Sequence, residues 1–156
     1  MDIIAQRQRI VEEAKTWLKT PYHHHGDIKG VGVDCAMFLV KVYSDLGLIH
    51  YFDPRPYSPQ WHLHHSEEIY LGFVEKYAKK VDVPLPGDVV LYKVGRCVAH
   101  GGIVVDWPTI IHVVNRIGCA LDDGTQGMLR YMDGKSRLYG FYSLFQGPVL
   151  SKTEGA

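Results

Sequence analysis

The chain has 156 residues, 46% hydrophobic and 22% charged, which is the size and composition of one ordinary domain with enough apolar residues to fill a core. Lys+Arg and Asp+Glu number 17 each, so the formal net charge is zero, and nothing in that balance points to nucleic acid or an anionic membrane as a partner. No apolar run is long enough to cross a bilayer, and three cysteines without a C-x-x-C pair argue against a disulfide framework and a cysteine-rich zinc site.

Ile3, Ile4, Ile10, Val11, Ala14, Trp17 and Leu18 fall at helical spacing and predict an amphipathic helix from about Asp2 to Lys19, with Asp2 as cap and Pro21 as its end. The opening "MDIIAQRQRIVEEAK" carries an early acid and no apolar block after basic residues, so it does not read as a secretory signal. A glycine-bearing loop, "PYHHHGDIKGVGVD", follows. Asp34 stands where an N-cap belongs, and a second helix is predicted from Cys35 to about Leu46, with Phe38, Leu39, Val42, Tyr43 and Leu46 inward and Gly47 as its stop. "HYFDPRPYSPQWHLHH" predicts an irregular, packed loop. Ser66 then caps a third helix through Tyr77, whose stripe is Ile69, Phe73, Val74 and Tyr77.

The second half changes character. "PLPGDVVLYKV" reads as a turn and a strand, "AHGGIVVDWPTIIHVVN" as two strands around a turn at Asp106 to Pro108, and "RLYGFYSLF" as a final strand. Helices first and an antiparallel sheet second imply an α+β fold in a single domain over residues 1–150, with residues 151–156 a frayed tail.

A cysteine opening a helix invites chemistry. The N–H groups and partial positive charge of a helix start favour a thiolate over the thiol, and the same donors suit an oxyanion. Such a nucleophile also needs an imidazole and a third group to orient it. His100 heads one predicted strand and His112 lies inside the next. Pairing about a turn near Trp107 sets them nearly opposite or one diagonal apart, on a shared face if neither strand is bulged. His100 is therefore the candidate base and His112 its orienter. Two histidine clusters, His23 to His25 and His62, His64 and His65, raise a metal as a rival. Adjacent histidines cannot easily ligate one ion, and no H-E-x-x-H helix accompanies them, so no metal or other cofactor is expected. His24 and Trp61 are candidates for lining the cleft.

The ordered set "TPYHHHG", "VDCAMFLV", "PGDVV", "AHGGIVV" and "IIHVV" resembles the NlpC-type cysteine peptidases of the papain-like clan, over roughly Ile3 to Val114. The resemblance implies N-terminal helices packed on a central antiparallel sheet. It also implies Cys35 as nucleophile, His100 as base, His112 as third member, Tyr22 as an aid to substrate or oxyanion, and Asp34 as an acid facing a substrate amine. The implied reaction is hydrolysis of an amide in a bacterial cell-wall peptide through a thioester. Many members read Asp-Cys-Ser-Gly where this chain reads Asp34-Cys35-Ala36-Met37, so the serine hydroxyl that helps recognise the amine is missing. Stand-alone members of this kind resemble those encoded with phage tails. This implies synthesis in a bacterial cytoplasm, then association with a virion or delivery to the wall, with tail proteins as further partners. Two alternatives keep the fold and change the role: a non-catalytic tail component, or an acyltransferase using the same site.

Overall fold

A computed structural model describes residues 2–57 and 69–145. Helix α1 (Ile3–Lys15) starts where Asp2 accepts a 2.7 Å hydrogen bond from the Ala5 N–H. It ends earlier than the periodicity predicts, in turns that run to Lys19. Ile10, Val11, Ala14 and Trp17 are buried, but Ile3 and Ile4 face solvent. The inner face instead continues through Arg7, one turn before Ile10, whose guanidinium is buried against the Asp88 carboxylate (2.6 Å), the Pro86 carbonyl (3.0 Å) and the Ser143 hydroxyl (3.1 Å).

A short ladder of β1 (Asp27–Ile28) and β2 (Gly32–Val33) closes the glycine-bearing loop and delivers the chain to α2 (Cys35–Asp45). The Asp34 carboxylate caps α2 by accepting from the Met37 N–H at 2.9 Å. The helix is buried nearly all round, from Ala36 to Tyr43, which is why its sequence is apolar rather than striped. It ends in a Schellman motif. Gly47 adopts φ +74°, its N–H donates to Ser44 O, and the Leu48 N–H donates to Tyr43 O.

Residues 51–57 carry no regular structure. Phe52 packs on Phe73 and Tyr77 of α3 (Ile69–Tyr77), with ring centroids 5.5 and 5.2 Å apart. The predicted cap Ser66 and the remainder of that loop lie outside the described residues. Tyr70 and Leu71 of α3 are buried.

Six strands form one antiparallel sheet: β3 (Lys79–Val81), β4 (Val89–Val94), β5 (Cys97–Asp106), β6 (Thr109–Val114), β7 (Gly118–Asp123) and β8 (Leu138–Ser143), in the order β3-β8-β4-β5-β6-β7. Side chains alternate across it. Val89, Leu91, Ile103, Ile111 and Val113 join Ile10, Trp17, Phe38 and Tyr43 in the main core under the helices. Val90, Tyr92, Val104, Ile110 and Leu129 form a smaller cluster on the other face, with Trp107 and Phe141 packed against it. This is the expected α+β architecture, helices on one face of a central antiparallel sheet.

Candidate active site

Cys35 is the first residue of α2 and lies against the sheet beside Ala99 and His100 of β5. A cleft of about 200 Å³ opens there, and Tyr22, His24, Asp34, Cys35, Tyr57 and His100 are among the residues lining it. Trp61, the other candidate for this wall, lies outside the described residues. A smaller apolar cavity of about 60 Å³ lies on the far side of Ala36, bounded by Leu39, Tyr70, Phe73 and Val89.

The histidines meet by strand register. Gly102 pairs with His112, so His100 stands one diagonal from His112 on the same sheet face. A 2.9 Å hydrogen bond joins His100 Nε2 to His112 Nδ1. Gly102 makes that approach feasible, since a Cβ there would lie 2.8 Å from Ile111 O and 3.0 Å from the His112 Cβ. The series extends one step further than the sequence motifs indicate: His112 Nε2 lies 3.0 Å from Asp122 Oδ2 on β7. "GCALDDG" offers little to betray this. Only the acid pair before a glycine marks a strand running into a turn.

The sulfur does not bond to His100. The Cys35 thiol donates to the Ala99 carbonyl at 3.8 Å, and among the described residues no hydrogen bond joins it to the His100 ring. Its surroundings also include the N–H groups of Cys35 and Gly101 and the hydroxyl of Tyr70, which act to lower its pKa. Tyr70 also donates to the Cys35 carbonyl at 3.2 Å. Burial, then the Asp34 charge, outweigh these donors and push the Cys35 thiol up to about 12. This shift opposes the thiolate expected from the helix start. Burial, reinforced by His112, holds the His100 imidazole down to about 3. Burial also lowers His112, against the opposing pull of Asp122. Both shifts favour a neutral thiol and a neutral imidazole.

Asp34 does not present a free carboxylate to the cleft. Oδ1 accepts from the Met37 N–H, while Oδ2 accepts from the His25 N–H (2.9 Å) and the Tyr57 hydroxyl (2.6 Å). Tyr22 is set beside this group by a bridge to Val33. Burial raises its hydroxyl pKa, and the Cys35 and Asp34 charges add to the shift. The His24 ring lies 3.7 Å from that of His25, and the His25 ring is tied to the Tyr57 backbone at 2.8 and 3.1 Å. His62, His64 and His65 lie outside the described residues. Among those described, no three His, Cys, Asp or Glu side chains converge as metal ligands.

The NlpC/P60 family model matches residues 19–133, well over half of the chain. No curated protein matches the sequence. Solved structures do. The NlpC/p60 domain of the peptidoglycan hydrolase SagA is 19% identical with a TM-score of 0.54, the match covering 75% of this chain and 88% of that one. NlpC2 from Trichomonas vaginalis is 15% identical with a TM-score of 0.62, covering 90% of this chain and 47% of that one. An NlpC/P60 family protein from Bacillus cereus ATCC 10987 is 19% identical with a TM-score of 0.61, covering 86% and 39%. The chain thus spans most of the SagA domain and less than half of the other two, and at these identities the likeness is one of fold. Taken with the family match, the helix-opening cysteine and the paired strand histidines, it establishes that this chain belongs to the NlpC/P60 family.

Proposed function

We propose that the protein is a cysteine peptidase that hydrolyses an amide bond in bacterial cell-wall peptides through a thioester. The observation that carries this reading is the assembly, in one cleft, of a helix-opening thiol and an imidazole backed by a second imidazole. The SagA domain, of the same fold, belongs to a peptidoglycan hydrolase.

The geometry suggests the order of events. Turning Cys35 about its Cα–Cβ bond releases Sγ from the Ala99 carbonyl and presents it to the cleft. The thiol proton passes to His100 as sulfur attacks the scissile carbonyl. Burial opposes each charge formed alone, but thiolate and imidazolium arise together, and their attraction offsets part of that cost. The backbone N–H groups at the start of α2 can receive the oxyanion, with Tyr22 nearby; losing one such donor typically costs about 3 kcal/mol in barrier. His100 then protonates the leaving amine and activates the water that cleaves the thioester. No step draws on a metal. The finer reading, an enzyme carried to the wall by a virion, rests on resemblance alone; antibody detection in purified particles would test it.

Digestion of purified peptidoglycan, with fragments identified by mass, tests the central reading. Cleavage within the stem peptides should fall by at least about a thousandfold in Cys35→Ala, with the fold retained. Undiminished cleavage by that variant would overturn it.

A further inference from the structure

His112 is fully buried, and a buried imidazole needs partners for both nitrogens. Nδ1 meets His100 Nε2, and Nε2 meets Asp122 Oδ2. A carboxylate only accepts, so the proton on this edge belongs to His112 Nε2. His112 Nδ1 then carries a lone pair and must accept, so His100 Nε2 carries the donated proton. A neutral imidazole holds one N–H, which leaves His100 Nδ1 bare. Resting on the cysteine-peptidase reading above, we propose that Asp122 is a positioning residue: its carboxylate sets the tautomers of His112 and His100 in series, and so keeps His100 Nδ1 ready to take the Cys35 proton.

Asp122 is built to hold that position. Its other oxygen accepts from the Asp123 N–H at 2.8 Å. The turn behind it is pinned on three sides. Asp123 accepts from the N–H and hydroxyl of Thr125 (2.8 and 2.6 Å), the Gly124 N–H donates to Pro108 O (2.7 Å), and the Tyr92 hydroxyl donates to Gly124 O (2.7 Å). The Asp122 side chain is nearly half exposed, so as an ion pair it would add little stability. Its use lies in direction. When His100 becomes imidazolium, its Nε2–H still points at His112 Nδ1, and His112 stays neutral with its own proton aimed at Asp122.

Nitrogen-15 spectra of the imidazoles in the full chain test the assignment without turnover. The wild-type spectrum at neutral pH should show His112 protonated on Nε2 and His100 on Nε2. A proton on His112 Nδ1 would overturn the proposal before any variant is made. In Asp122→Ala both rings should become tautomeric mixtures, kcat should fall about ten- to hundredfold, and KM should change little. In a His112→Ala background, Asp122→Ala should cost nothing further, because its effect passes through His112. Unchanged ring spectra in Asp122→Ala, or losses that simply multiply in the double variant, would refute the positioning role. Hydrolysis surviving Cys35→Ala would instead refute the peptidase reading and leave the ring assignment standing.

Discussion

His100 is displaced from the ordinary histidine pKa of 6.5 to about 3, chiefly by burial. The unfolded chain takes up this proton near 6.5 and the native protein only near 3. Stability is therefore whole above pH 6.5 and drains away as pH falls toward 3, by up to about 1.4 kcal/mol per pH unit for this one ring. Urea unfolding between pH 7 and pH 4 should show that decline, and His100→Gln should flatten it; equal slopes in the two proteins would show that the ring is not the cause. Asp34 supports a prediction about substrate. Its oxygens already serve Met37, His25 and Tyr57, and Ala36 brings no hydroxyl. A free substrate amine therefore meets a carboxylate whose acceptor sites are mostly taken. Wall peptides with an acetylated amine should be cut within about fivefold of the free ones, as judged by kcat/KM. A strong preference for the free amine would show that Asp34 exchanges its partners on binding.

At the level of elements, the Arg7 contact ties α1 to the Pro86–Asp88 turn and to Ser143 on β8. Arg7→Ala leaves the Asp88 carboxylate buried without its cation, so denaturant unfolding should show a loss of about 3–5 kcal/mol. A loss below about 1 kcal/mol would mean that the carboxylate finds water instead. This contact also marks a limit of reading from sequence. Ile3 and Ile4 fit the helical period, but an arginine at the next inward position draws the buried face elsewhere, and periodicity weighs only apolar residues. Helix α2 was legible because cap, apolar run and terminal glycine agree. The nearness of His100 and His112 was legible from the hairpin, but their shared face was expected only for unbulged strands; here the register shifts by one residue between Val104 and Asp106, and that shift sets His112 opposite Gly102, on the face of His100. Strand β7 was not: only Gly118 and Cys119 are buried and the rest is half-buried or exposed, as suits an edge, so no alternation marks it. Asp122 was hidden with it. The upward shift of the thiol pKa was hidden for another reason. Helix-start polarity shows in the sequence, while burial is a property of the packed molecule.

Over the whole molecule, the two halves of the chain divide the chemistry. The helical half supplies the sulfur and the Asp34 corner; the sheet supplies the hydrogen-bonded series from His100 through His112 to Asp122, on three successive strands. The apolar cavity behind Ala36 belongs to the helical side and touches none of these three residues. Gly102 sits opposite His112, and the neighbours of His112 along β6, Ile111 and Val113, face the helices. Sliding β6 by a single residue would thrust an imidazole into oil and turn isoleucine toward the His100 ring. A misaligned hairpin would thus be penalised twice, once in solvation and once in the lost bond to His100, so the buried imidazole itself enforces faithful alignment of these two strands.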